Sequence, residues 1–123
     1  MITCAITGHT GVLGSNFIKN NSDIKFIKFS KDLSKKNEIK KWIKENSFDY
    51  FLHLGAVVPT HEIKKNYNYA KKVNYLSTIN IINELKKKNK KIYFFYSSSS
   101  HVYGYSNKKL NERSKTNPIN QYG

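Results

Sequence analysis

The sequence predicts an α/β domain built on a doubly wound parallel sheet. Three observations predict it. A glycine-rich turn joins a short β-branched run to a helix start near the N-terminus; further apolar runs occur at Tyr50–Val58 and Ile92–Tyr96; and the stretches between carry helical apolar spacing. Right-handed crossovers bring the carboxyl ends of such strands to one edge of the sheet, where ligands bind.

Ile2–Ile6 is the first strand, apolar, partly β-branched and bounded by a glycine turn. Gly8, Gly11 and Gly14 follow at every third position, and Ser15–Lys19 reads as a helix opening. Strand, glycine turn and helix start together make a phosphate cradle. Glycines let the backbone turn sharply and approach a ligand, while the free N–H groups of a first helical turn face an anion. The spacing is Gly-x-x-Gly-x-x-Gly, which departs from the Gly-x-Gly-x-x-Gly dinucleotide fingerprint.

Ile24–Ser30 alternates well enough to be a second strand. Lys35–Asn46 places Ile39, Trp42 and Ile43 on one helical face, with Trp42 as a core anchor. Tyr50–Val58 is nearly continuous in apolar residues, as for a parallel strand covered on both faces, and Gly55 and Pro59 end it. Ile63–Lys88 is a long helical region with Val73, Leu76, Ile79, Ile82 and Leu85 along its apolar face. Ile92–Tyr96 is a last buried strand, the polar run Ser97–Ser100 follows, and everything after Gly104 is loop-like.

At 123 residues the chain is one domain with room for a core, supplied by Leu33, Trp42, Phe48–Leu54 and Ile92–Tyr96. Cys4, the lone cysteine, reads as a small core residue, so neither an internal disulfide nor a cysteine metal cluster is available. That permits a reducing cytoplasm. No apolar run is long enough to span a bilayer and the N-terminus is a core strand, so a soluble chain without a membrane partner is expected.

The net charge of +14 invites a nucleic-acid partner, but the composition argues against one. Arg113 is the lone arginine among 22 basic residues, and the lysines are scattered among asparagines and isoleucines. A dedicated nucleic-acid binder uses arginine for bidentate phosphate and base contacts. The dense run Lys86–Lys91 reads as a solvated helix end whose cations suit the helix dipole.

Three further segments line up with the glycine turn: His53-Leu54-Gly55-Ala56; Val73–Thr78 with Asn74; and Ser97–Gly104 followed by Glu112, Pro118 and Tyr122-Gly123. In this ordered set the chain resembles the NAD-dependent epimerase/dehydratase branch of the extended short-chain dehydrogenase/reductase superfamily, over essentially its whole length. The resemblance implies a Rossmann-type fold, NAD or NADP as cofactor and a nucleotide-sugar substrate.

By that resemblance Gly8, Gly11 and Gly14 bind the dinucleotide pyrophosphate, with Val12 and Leu13 lining the turn. Asp32 and Leu33 match the pair whose aspartate accepts from the adenine amino group. A rival assignment makes Asp32 the ribose acid, about 20 residues past the glycines. On the preferred assignment the ribose position is Ser30 or Lys31, no carboxylate repels a 2′-phosphate, and the choice between NAD and NADP stays open. Leu54, Gly55 and Ala56 match the segment that runs beneath the cofactor, and His53 is a strand-end histidine without catalytic duty. Asn74 matches the asparagine of Asn-Val-x-Gly-Thr, although Tyr75 and Ser77 replace the usual valine and glycine; its other reading is a helix-bending or capping hydrogen bond.

Ser99, counted back from Val102-Tyr103-Gly104, is the resemblance's catalytic serine, and Tyr122 its catalytic tyrosine. A phenol, with a pKa of about 10, is a poor base at neutral pH until nearby positive charge lowers it. The resemblance then has Tyr122 take the proton from a sugar hydroxyl and Ser99 hydrogen-bond the developing ketone during hydride transfer to the nicotinamide. The lysine of Tyr-x-x-x-Lys would come four residues after Tyr122, and the chain ends one residue after it. Residues 1–123 are therefore expected to be an incomplete NAD(P)-binding domain without its substrate domain, the N-terminal part of an enzyme with little turnover by itself. A homodimer is compatible with the resemblance. The alternative is a non-catalytic NAD(P)-binding sensor module of the same fold.

Overall fold

The computed structural model describes residues 1–58 and 60–123. Its centre is a parallel sheet of four strands, β1 (Thr3–Thr7), β2 (Lys25–Lys28), β3 (Tyr50–His53) and β4 (Tyr93–Tyr96), in the order β2-β1-β3-β4. The chain winds from β1 out to β2, then crosses back to β3 and on to β4. The winding reverses between β1 and β3, the switch point at which open α/β sheets leave a crevice. Thr7 pairs with His53 and His53 with Tyr96, so the three carboxyl ends lie level.

One face of the sheet carries the main core. Ala5, Phe29, Phe48 and Phe51 pack against Ile39 and Ile43 of α2 (Lys36–Glu45) and against Ile81 and Leu85 of α5 (Ser77–Leu85). Half-buried Trp42 completes it, edge-on to Phe29 and Phe51 and stacked on Phe48, the anchor that its helical spacing predicts. On the other face α1 (Val12–Lys19) sets Phe17 edge-on against Phe26 of β2. Cys4 is buried in β1, which pushes its thiol pKa up.

Five expectations need correction. The first helix starts at Val12, before Ser15. Strand pairing at β3 stops at His53, short of Val58: Gly55 N–H turns to the Thr7 side chain, and Val57 bonds through both backbone groups to Asn74. Side chains take the place of the ladder there. Pro59, the second expected strand-breaker, lies outside the described residues.

The long helical region is interrupted, forming α3 (Thr60–Lys65), α4 (Tyr67–Lys71), a π turn (Lys72–Leu76) and α5. Asn66 Oδ1 accepts from Tyr69 N–H and starts α4 afresh. The π turn admits an extra residue and shifts the helix face. Val73, Ser77, Ile81 and Leu85 are buried, four apart, while Leu76 and Ile79 are exposed.

Strand β4 is not buried. Among the described residues it is the sheet edge, and Tyr93, Phe95 and Tyr96 are 55%, 61% and 48% exposed. Tyr50 of β3 is exposed beside them, stacked on Tyr93, so β3 is covered fully on one face only. No helix among the described residues is long and apolar enough to cross a membrane.

Candidate functional site

The crevice at the switch point begins with the glycine turn. Gly8 sits at φ 71°, a conformation that L side chains rarely adopt, and a Cβ there would lie 2.6 Å from Gly55 N. A Cβ on Gly14 would strike the Gly8 carbonyl oxygen and lie 2.8 Å from His9 Cα. These two glycines let β1, α1 and the segment after β3 close on one another. Gly11 is different: a Cβ there meets only Gly8 O, at an ordinary 3.4 Å. The fold leaves room for a side chain at Gly11, so its bareness serves whatever approaches the turn.

Helix α1 opens at Gly11 without a side-chain cap, and no acid stands in its first turn. The N–H groups of that turn have no partner within the helix and carry the positive end of its dipole. Val12 and Leu13 are exposed beside them. His9, in the same turn, has Nδ1 buried without a hydrogen-bond partner. Bare backbone, an uncapped helix end and an unpaired polar atom suit a bound diphosphate.

The facing wall is the segment after β2. Phe29 N–H bonds to Ile6 O and its ring enters the core, leaving Ser30, Lys31, Asp32 and Leu33 along a groove of about 750 Å³ that the glycine turn also lines. Asp32 Oδ1 accepts from Ser34 N–H at 2.8 Å and from the Tyr69 hydroxyl at 3.4 Å. The Ser34 N–H above all holds this carboxyl below its ordinary pKa. Tyr69, on α4, had no signal in the sequence as a wall residue.

The floor is Leu54–Ala56, fixed from below by a buried polar chain. Gly55 N–H donates to Thr7 Oγ1 at 3.1 Å; Thr7 Oγ1 lies 2.6 Å from His53 Nδ1; His53 Nε2 lies 3.0 Å from Thr78 Oγ1; and Thr78 donates to Asn74 O. Burial lowers the His53 pKa to about 4, so the ring is neutral at ordinary pH. The Asn74 amide accepts from Val57 N–H at 2.7 Å and donates to Val57 O at 2.8 Å. Its geometry is that of a loop-holding residue; both its oxygen and its nitrogen are engaged by the chain itself.

Leu54, Gly55 and Ala56 also border a second cavity, of about 390 Å³, which holds Ser97–Ser99 at the end of β4 together with Tyr122 and Gly123. The structure thus brings Ser99 and Tyr122 into one cavity, joined to the glycine turn across a common floor. Ser99 Oγ accepts from His101 N–H at 3.2 Å and opens the 3₁₀ turn Ser100–Val102. Asn120, which sequence reading passed over, organises the tyrosine. Its Oδ1 accepts from the N–H groups of Tyr122 and Gly123, and its Nδ2 lies 2.7 Å from His101 Nδ1. The His101 ring stands edge-on to Tyr122, with centroids 5.4 Å apart. The available signal was an asparagine two residues before the tyrosine, the spacing of a side-chain turn.

A model of the NAD dependent epimerase/dehydratase family matches residues 4–123. No curated protein matches the chain. Among solved structures, it is similar to dTDP-4-dehydrorhamnose reductase from Yersinia enterocolitica, with a TM-score of 0.87 and 27% identity, covering 99% of this chain and 44% of that one. The same enzyme from Bacillus anthracis, solved in complex with NADP, gives 0.85 and 21%, covering 100% and 46%. The UDP-Glc/GlcNAc 4-epimerase of Campylobacter jejuni gives 0.84 and 24%, covering 100% and 45%. The chain spans less than half the length of each of these structures.

Proposed function

The chain belongs to the NAD-dependent epimerase/dehydratase family, and from that premise we propose that its crevice binds NAD or NADP for hydride transfer at a carbon of a nucleotide sugar. The observation that carries this reading is the floor Leu54–Ala56, shared by the groove of the glycine turn and the cavity of Ser99 and Tyr122. A dinucleotide laid along it would reach from one to the other. The reductase and epimerase neighbours, one of them with NADP bound, support the choice of ligand and of substrate class.

In this reading Gly8, Gly11, Val12, Leu13 and Gly14 hold the diphosphate through backbone N–H groups and the dipole of α1. Asp32 and Leu33 border the adenine. Leu54, Gly55 and Ala56 support the middle of the ligand, and Asn74 keeps the adjoining loop in place. A bound nicotinamide supplies the hydride acceptor or donor. Tyr122 takes or returns the proton of the sugar hydroxyl, and Ser99 donates a hydrogen bond to the oxygen as it becomes a ketone. Asn120 and His101 fix the phenol so that the proton moves over a short, constant path. By themselves the 123 residues are read as cofactor-binding with little turnover.

The test is a melt of the protein with millimolar NAD and NADP. A ligand held at about a hundredfold excess over its Kd adds about 2.7 kcal/mol to the folded state, which reads as a rise of several degrees in Tm. Ser99→Ala and Tyr122→Phe should keep that rise while losing any residual hydride transfer. If neither dinucleotide moves Tm, the proposal is wrong. Turnover that survives Tyr122→Phe would place the base elsewhere.

A further inference from the structure

We infer that a lysine-lined groove between α2 and the turn that follows α5 is a docking site for an acidic segment of a partner protein. The groove lies away from the crevice, and its role is separate from whatever the crevice binds.

Its volume is about 600 Å³. Lys40 and Lys44 of α2 line one side and Lys87, Lys88 and Lys90 of the turn line the other, with Glu84 of α5 the one acid among them. The run Lys86–Lys91 reads in the sequence as a solvated helix end; folding sets two lysines from a distant part of the chain against it. Asp49, just before β3, accepts from Lys90 at 2.8 Å, and Tyr93 N–H at the start of β4 bonds to Asp49 O. The groove therefore sits by the amino ends of the strands, opposite the crevice at their carboxyl ends.

Part of this cationic array is already held in place. Lys87 pairs with Glu84 at 2.6 Å, and Lys88 donates to Asn46 O at 2.6 Å with its Nζ 5.4 Å from the centroid of the Phe48 ring. Lys40 and Lys44 are exposed and make no ion pair among the described residues. Burial and the neighbouring charge of Lys90 lower the Lys88 pKa, as crowded cations do where too few acids offset them. An anion laid in the groove would relieve that crowding.

Carboxylates suit this surface better than a phosphate chain does. Both ion pairs made by its lysines join an ammonium to a carboxylate. Among the described residues the lining holds no arginine for a bidentate phosphate contact and no aromatic ring for a base to stack on. A peptide can also leave a neutral residue opposite Glu84, whereas a nucleic-acid strand carries a charge at every nucleotide.

The experiment is fluorescence anisotropy of an oligoglutamate peptide with the whole chain, and in parallel of oligothymidylate of matched charge, at low and at high salt. Oligoglutamate should bind the more tightly, and high salt should weaken it. Lys40→Glu with Lys44→Glu should weaken it about tenfold or more, because several exposed pairs, each weak singly, are lost together. Lys108→Glu with Lys109→Glu makes the same change of net charge on the loop after Gly104 and should weaken it less than about threefold, as distant exposed charges are screened. All four lysines are exposed, so both variants should fold, which an unchanged Tm would establish. Lys40→Gln with Lys44→Gln replaces the double reversal if that melts early. Absence of binding, or tighter binding of oligothymidylate, overturns the inference. So does equal weakening by the two double reversals, which would assign the attraction to the net charge of +14 as a whole.

Discussion

The Thr7 hydroxyl oxygen lies 2.6 Å from His53 Nδ1, and counting hydrogens along their chain fixes who donates to whom. Thr7 Oγ1 already accepts from Gly55 N–H, so its own proton points at Nδ1. That leaves the imidazole proton on Nε2, donated to Thr78 Oγ1, whose proton goes on to Asn74 O. The last residue of β1, the last of β3 and the helix behind them are joined by bonds that all run one way. Their product is a fixed Gly55, against which the Gly8 backbone closes.

A second proton on His53 would turn Nδ1 into a donor facing another donor, in a nest of the Phe51, Phe94 and Tyr96 rings. The pKa falls from 6.5 to about 4 on folding, so the neutral ring is the form that the fold favours. Its contribution is fully present above about pH 6.5 and is lost as the pH falls through about 4. Urea denaturation across that window should show stability dropping by up to about 1.4 kcal/mol per pH unit, on the order of 3 kcal/mol in all. A flat profile there would mean that the ring is not buried as described.

Replacing the ring separates packing from protonation. His53→Phe keeps the volume but leaves the Thr7 proton without its acceptor, at a cost of about 1–3 kcal/mol at neutral pH. The variant should lose the acid-side slope. If its stability tracks pH as the parent's does, the slope belongs to another group.

The three glycines of the turn divide into two kinds. Gly8→Ala and Gly14→Ala drive a methyl group into backbone, so both should fail to fold or melt far below the parent. At Gly11 a Cβ makes only an ordinary contact with Gly8 O, so Gly11→Val should change Tm little, while cutting cofactor affinity at least tenfold by blocking the approach to the N–H groups of α1. A Gly11→Val protein that binds normally would move the diphosphate away from this turn.

Much of this was legible in the residues. The order of strands and helices, the glycine turn and the strand-end serines follow from patterns in a single segment each, and such patterns survive folding. Three features were hidden because they depend on distant partners. Leu76 and Ile79 fit an unbroken helix, and only the π turn, which lets Ser77 face inward and bond to Val73 O, removes them from the buried face. Ile92–Tyr96 is apolar enough for a central strand, but among the described residues it pairs with β3 alone. Asn120 and Tyr69 matter through His101 and Asp32, each far away in the chain.

Asn74 joins the π turn to the loop that floors the crevice through two hydrogen bonds to Val57. Asn74→Ala removes both and should lower stability by about 1–3 kcal/mol, with a fall in cofactor affinity as the floor loosens. Asn74→Asp keeps an acceptor for Val57 N–H but sets a carboxylate against Val57 O, so it should do no better. Full affinity in either variant would show that the loop holds without the side chain.

Neighbouring residues of β4 give the last test, because side chains alternate between the faces of a strand. Phe94 packs on the main core beside Phe51, with ring centroids 5.7 Å apart, whereas Phe95 points to the opposite face and is 61% exposed. Phe94→Ala should therefore cost up to about 3 kcal/mol, the low end of the loss for a phenylalanine in a core. Phe95→Ser should stay within about 0.5 kcal/mol, the usual range for a surface change, and should reduce self-association by breaking an exposed apolar patch. Comparable losses at the two positions would mean that the open face of the sheet is covered in solution.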